Sequence, residues 1–153
     1  MTIFDRPHQL LFNFAMFFII LDFWGIKMPN IPVARPGRKR QYLSIHKHQA
    51  SNTNKKWSKW VNINVEKDTF DAADYGNFNK MPGNDSWEDD VMNLWGVLPG
   101  FDYVGTKKQQ FGFFPKTQNP TDAWHGYPVN HDYQKKKKSL VEFFVEKGII
   151  DSD

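Results

Sequence analysis

Hydrophobic and polar residues alternate most regularly over positions 57–66, which begin with two tryptophans. The branched residues on the apolar side of this alternation are Val61, Ile63 and Val65. A period of two places such residues on one buried face, so the pattern predicts a strand. A shorter strand is predicted over 42–45. Residues 67–83 are rich in acids, asparagine and glycine without periodicity, which predicts a long loop with a short helical turn at 71–75.

Two later segments have the spacing of helices. In the first, over 86–98, Ser86 and Asp89 are placed like a capping box with Asp in place of Glu, and a Pro-Gly pair follows. Its apolar residues are Val91, Leu94, Trp95 and Leu98. The second, over 134–147, ends at Gly148, a predicted C-terminal cap on which Ile149 folds back. Its inward residues are predicted to be Leu140, Val141, Phe143, Phe144 and Val145.

Between these helices, the aromatic run 111–114 predicts a strand that forms a hairpin with 103–104. It leads into residues 115–133, where three prolines and Gly126 exclude a helix or a central strand, so we expect an ordered surface loop. Strands and helices alternate too irregularly for a wound parallel sheet. The sequence therefore predicts an α+β fold, a small, mostly antiparallel sheet with two or three helices packed on it.

The beginning of the chain differs in composition from the rest. Residues 10–21 form an apolar run interrupted only by Asn13, shorter than the about 20 residues that span a bilayer. Three interpretations of 1–27 stay open: a core or interfacial helix, an over-long start with Met28 as the true first residue, or a membrane anchor through 10–26. Residues 28–40 form a proline-rich basic arm, and we expect 41–153 to be a single α+β domain.

The amino-acid composition excludes some kinds of site. The chain has no cysteine, which excludes disulfides, thiolate metal ligands and cysteine nucleophiles and gives no sign of an oxidising compartment. A cytoplasmic location is the default expectation. Aromatic residues make up 16% of the chain, which argues against disorder.

The net charge is +3, but the charged residues are clustered by sign along the chain. Residues 27–65 contain nine Lys or Arg and no acid, whereas 66–102 contain nine acids and two lysines. The run 135–138 is a further basic block, expected to be a solvated helix face. One interpretation is that the first two blocks attract each other within the molecule.

The other interpretation is that the basic block binds nucleic acid. Its cations are interleaved with tryptophans on which bases can stack, a combination that suits single-stranded RNA or DNA. The predicted binding residues are Arg35, Arg38, Lys39, Arg40, Lys55, Lys56, Trp57, Lys59 and Trp60. A basic run after an apolar segment can also lie on an anionic membrane surface, which is the rival partner.

The loop 115–133 has the densest set of groups able to move protons. His125 is the candidate general acid or base, with Asp122 or Asp132 to orient its ring and Tyr127 as a second polar group. Lysines at positions 107, 108 and 116 could stabilise a phosphate. A metal interpretation would use His125, His131, Asp132 and Asp122, or the pair His46 and His48, but no strong zinc spacing is present. We predict no metal and no cofactor.

Two classes of function remain after these observations. The first is a small basic nucleic-acid-binding protein, and the second is a small phosphodiester- or nucleotide-directed enzyme, resembling a nuclease in its chemistry, with its site around His125. A third, an adaptor that uses the acidic block, has no other support. If the basic residues converge on His125 in space, the enzyme is favoured. If they lie on the opposite face, the binding protein is favoured.

Overall fold

The α+β prediction is confirmed. A computed structural model describes residues 40–81, 83–100, 103–132 and 139–152. In these ranges a 3₁₀ turn at His46–His48 precedes helix α1 (Ile63–Tyr75), and helix α2 (Leu140–Glu146) closes the chain. Between the helices lie the strands β1 (Leu94–Gly96), β2 (Phe111–Phe114) and β3 (Tyr127–Val129). The strands form one antiparallel sheet in the order β1-β2-β3.

The predicted aromatic strand is the centre of this sheet. β2 is buried at all four positions and pairs with β1 through Phe113 and Trp95 and with β3 through Gly112 and Pro128. Pro128 has no N–H to donate, and it is accommodated because β3 lies at the edge of the sheet. The exclusion of 115–133 from helix and from a central strand therefore holds, but the predicted surface loop is wrong at Tyr127–Val129, which forms a largely buried edge strand.

The core lies where α1 packs on β1 and β2. Thr69 fits against two strand glycines, since a Cβ on Gly96 or Gly112 would lie 2.6 or 2.7 Å from its methyl carbon. Phe70, one residue along the helix, meets the Phe114 ring edge-on with the ring centroids 5.1 Å apart. Small residues in the strands thus let the helix approach closely enough for large rings to interlock.

The strand predicted over 57–66 is wrong. The chain enters helix α1 at Ile63, because the Asn62 side-chain oxygen accepts the Val65 backbone N–H at 2.9 Å and so caps the helix. Helical spacing then continues through residues that were assigned to a loop, and Gly76 ends the helix in the left-handed conformation at φ +69°. An alternation over five residues was too short to distinguish a strand from the first turn of a helix.

The helix predicted over 86–98 is also wrong. Asp89 caps a tight turn instead, because one carboxylate oxygen accepts the backbone N–H groups of Val91 and Asn93, both at 3.0 Å. Met92 adopts φ +67° in this turn, and the chain reverses so that the Trp95 N–H donates to the Trp87 carbonyl. The same acidic residue that suits a helix N-terminus satisfies the donors of a turn equally well.

The hairpin predicted between 103–104 and 111–114 does not form. The Val104 N–H donates to the Gln109 carbonyl at 2.7 Å and closes a turn, while β2 takes β1 and β3 as its partners. The 42–45 strand is reduced to a single bridge between Tyr42 and Trp124.

The predicted C-terminal helix is present, but it begins at Leu140 rather than at 134, because Ser139 is extended and caps it. Ser139 and Glu142 form a full capping box, and Leu140 and Phe144 are buried. Val141, predicted to face inward, is 44% exposed. The Ile149 N–H donates to the Phe144 carbonyl at 3.0 Å, so Ile149 folds back as expected beyond Gly148.

Several predictions fall outside the described residues. They concern the apolar leader 1–27, most of the basic arm 28–40 and the lysine run 135–138. Within the described ranges, neither helix combines the length and the apolar character needed to cross a bilayer, and α1 has only 13 residues.

Candidate functional site

The beginning of the described chain runs beside the loop that contains His125. The Leu43 N–H donates to the Trp124 carbonyl at 2.7 Å, and the Trp124 N–H donates to the Gln41 carbonyl at 2.8 Å. The bridge is parallel, so the residues after Tyr42 advance in the same direction as those after Trp124. This pairing brings the 3₁₀ turn His46–His48 to the start of β3.

Gly126, the residue after His125, packs tightly against the sheet. A Cβ at position 126 would lie 2.2 Å from Cδ1 of Phe114 and 2.4 Å from the Phe113 carbonyl oxygen, so only glycine fits there. The Gly126 carbonyl also accepts the indole N–H of Trp60 at 3.3 Å. The backbone on one side of His125 is therefore fixed by packing from both the sheet and the basic segment.

His48 is held by three contacts. Its Nδ1 lies 2.7 Å from the Ser58 carbonyl, its ring stacks on Tyr127 with the centroids 5.2 Å apart, and its own carbonyl accepts the Trp60 N–H. Because a carbonyl can only accept, Nδ1 carries the proton and donates it, and Nε2 carries the lone pair in the neutral ring. The side chain is buried, with 4% of its surface exposed.

Both histidines have a lowered pKa, and the causes connect them. Burial lowers the pKa of His125, and the positive charge of Lys47 lowers it further. Burial also lowers the pKa of His48, the Ser58 carbonyl opposes this, and the charges of Lys47 and His125 lower it again. The charge of Lys47 thus acts on both rings, and both are mainly neutral at pH 7.

Trp57 lies beside this pair under two lysines. The Nζ atoms of Lys47 and Lys56 are 4.6 and 5.3 Å from the centroid of its ring, which is half-buried. Its ring also meets the His48 ring edge-on at 6.1 Å. Lys55 is exposed, and its carbonyl accepts a hydrogen bond from Lys107. We call Lys47, Lys55, Lys56 and Trp57 the Trp57 strip.

Two residues predicted to bind nucleic acid instead contact other residues of the protein. Trp60 is 0% exposed and stacks on Phe114 with the centroids 5.8 Å apart, so it has no face for a base. Arg40 forms ion pairs with Asp74, at 2.7 Å, and with Glu88, and its guanidinium lies over Trp124. Its charge is therefore neutralised by the acidic block 66–102. This agrees with the interpretation that the basic and acidic blocks attract each other within the molecule.

The other predicted residues occupy varied positions. Lys59 is half-buried, and its carbonyl accepts the Thr106 N–H. Arg35, Arg38 and Lys39 lie outside the described residues. Of the lysines considered for phosphate, Lys107 reaches the Trp57 strip, while Lys108 lies near Tyr103. The backbone N–H of Lys116 donates to Asn93.

Asp122 closes its own turn. Its carboxylate accepts the backbone N–H and the side-chain amide of Asn119, at 3.0 and 3.1 Å. Among the described residues it forms no hydrogen bond with His125, so the structure does not support its predicted orienting role. The predicted Tyr127 does lie in the site, but its ring stacks on His48, which the sequence did not associate with the loop.

The geometry offers little to a metal ion. His46 is exposed whereas His48 is buried, so the two do not present a shared pair of ligands. His131 and Asp132 are exposed. In the ranges that the structure describes, no group of three His, Asp or Glu side chains is arranged to hold a metal.

Comparisons with known proteins give no information about the function of this site. No protein-family model, no curated protein and no solved structure matches the chain. Any inference about function must therefore come from the residues themselves.

Proposed function

We propose that this protein is an enzyme that cleaves the phosphodiester backbone of single-stranded RNA without a metal ion. The observation that carries the proposal is that the Tyr42–Trp124 pairing brings Lys47 and His48 alongside the loop of His125, where His48 stacks on Tyr127. Burial, and after it the charge of Lys47, lowers the pKa of both histidines. Lys47 belongs to the basic block, so one residue of that block acts on His125. This supports the enzyme over a separate binding face.

The proposed reaction is an internal transfer at phosphorus. The 2′-hydroxyl oxygen forms a bond to phosphorus, and the bond from phosphorus to the 5′-oxygen breaks. His125 takes the proton of the 2′-hydroxyl, and the imidazolium of His48 gives its Nε2 proton to the departing 5′-oxygen. The products are a 2′,3′-cyclic phosphate and a 5′-hydroxyl, and the two histidines have exchanged protonation states.

The contacts of each ring support these roles. Burial lowers the pKa of both rings, but only His48 has a carbonyl, that of Ser58, that favours its protonated form, so His48 suits the acid better and His125 the base. Lys47 can neutralise charge that develops on the non-bridging phosphate oxygens. Trp57, with Lys55 and Lys56, supplies a stacking face and cations for the flanking nucleotides.

One observation favours a second candidate, a protein that binds single-stranded nucleic acid without cleaving it. His48 is only 4% exposed, and its ring is covered by Tyr127 and Trp57, which limits its access to a substrate. In that case His48 would serve to hold the Trp57 strip in place. The two candidates share a surface but differ in whether a bond is broken.

The test uses an RNA oligonucleotide and its DNA counterpart, incubated with the full chain in excess EDTA. We expect the RNA to be cut to a cyclic phosphate and the DNA to be bound but not cut, because DNA lacks the 2′-hydroxyl. His125→Ala should lower the rate by about 10²–10⁴ and leave RNA affinity nearly unchanged. The matched control is His46→Ala, an exposed histidine of the same 3₁₀ turn, which should keep full activity.

Two results would decide against the enzyme. Binding of RNA without any cyclic-phosphate product would favour the second candidate, the binding protein. Cleavage that continues at the wild-type rate in His125→Ala would remove this histidine from the chemistry.

A further inference from the structure

A polar pocket lies beside His48, and neither His48 nor His125 lines it. It has a volume of about 290 Å³, and residues with hydrogen-bonding side chains on its wall are Ser58, Gln109, Tyr127, Asn130 and Asp132. Ser58 and Tyr127 are also the residues that hold His48, through the 2.7 Å hydrogen bond and the ring stack. A nucleotide whose phosphate reached the histidines would therefore have this pocket beside it.

The orientation of one wall group is fixed. Gln109 is 5% exposed, and its side-chain oxygen accepts the Lys107 backbone N–H at 2.9 Å. Because the oxygen is engaged, the amide nitrogen is the end that can donate to a guest in the pocket. Asn130 and Asp132 are exposed at the opening and can adjust to a ligand. The wall thus combines a fixed amide donor with a carboxylate acceptor.

We infer that this pocket binds guanine. The Watson–Crick edge of guanine presents two adjacent donors, N1–H and N2–H, which one carboxylate can accept together, and an acceptor, O6, for an amide N–H. Asp132 supplies the carboxylate, and Gln109 or Asn130 supplies the amide. Adenine presents a lone pair at N1 where guanine presents a hydrogen, so the carboxylate would repel it. The pocket's place beside the cleaved bond rests on the proposed function, whereas the binding itself does not.

The experiment measures binding of guanosine and adenosine 3′-monophosphates to the full chain by titration calorimetry. We expect the guanosine nucleotide to bind about tenfold more tightly or better, the range given by one good bidentate contact to a base. Asp132→Asn should remove the preference, because an amide can accept with only one of its two ends. Asp151→Asn, which removes an exposed carboxylate away from the pocket wall, should keep it.

Equal affinities for the two nucleotides, or no binding of either, would overturn the inference. A preference that survives in Asp132→Asn would overturn it as well. Cleavage is measured separately, so the two proposals fail in different ways. A chain that prefers guanosine through Asp132 but leaves RNA intact refutes the enzyme and keeps the pocket. A chain that cuts RNA with no base preference supports the enzyme and refutes the guanine pocket.

Discussion

Trp57 and Trp60 lie three positions apart and were predicted to do the same work, yet the fold uses them in opposite ways. Trp60 is fully buried against Phe114, and its indole N–H reaches the Gly126 carbonyl. Trp57 stays half-exposed under two lysines. At the scale of the residue, composition establishes that large rings are present, but it does not distinguish a ring that packs from one that binds.

Substituting each tryptophan separately tests this division. Trp60→Ala should cost about 3–5 kcal/mol in the free energy of unfolding, as expected for deleting a large buried ring. Trp57→Ala should leave stability nearly unchanged and weaken single-stranded RNA binding by about 1–3 kcal/mol for the lost stack. Urea unfolding and a filter-binding assay measure the two effects. If Trp57→Ala unfolds the chain or binds RNA as well as the wild type, then the Trp57 strip is not a binding surface.

At the scale of the element, the wrong strand over 57–66 and the wrong helix over 86–98 have one cause. Asn62 and Asp89 are both short polar residues that satisfy nearby backbone donors, but Asn62 begins a helix and Asp89 closes a turn. The local sequence allows either result in each place. What decides is whether the residues that follow can pack, as Phe70 and Thr69 do against β2. The aromatic strand β2 and the cap beyond α2 were predictable because their signals have no such alternative.

The role of Asn62 gives a prediction for helix α1. Asn62→Ala should lower the free energy of unfolding by about 1 kcal/mol, because the Val65 N–H loses its acceptor. Asn62→Asp should retain most of the stability, since a carboxylate accepts the same hydrogen bond and suits the positive end of the helix. Urea denaturation measures both. Equal losses in Ala and Asp would show that the cap contributes little and that packing alone begins the helix there.

At the scale of the molecule, the paired histidines make stability depend on pH. Their pKa values are lowered in the fold, so between those values and the ordinary value near 6.5 the unfolded chain binds more protons than the folded one. Stability should therefore be full above that ordinary pKa and fall as pH decreases below it toward the lowered pKa values. Thermal unfolding across this window measures the slope.

The matched variants for this prediction are His48→Gln with His125→Gln, compared with His46→Gln. The double variant should flatten the slope, and the exposed His46 should leave it unchanged. Asp89 acts in a lower range. Burial raises its pKa, but hydrogen bonds from Trp95, Asn93 and Val91 outweigh this and hold the pKa below its usual value. Its contribution is lost only as pH falls through that lowered pKa, below the range in which the two histidines take up protons.

The sequence by itself determined the α+β class, the aromatic strand, the exclusion of the proline-containing segment from helix and central strand, and the end of the last helix. Each of these depends on local stereochemistry or on burial that any fold must provide. The tertiary structure alone decided that α1 is a helix, that the aromatic strand is central, that Trp60 and Arg40 make internal contacts, and that the turn of His48 lies beside the loop of His125. His48 and His125 come together because Tyr42 pairs with Trp124, and a contact between distant segments leaves no periodicity in either one.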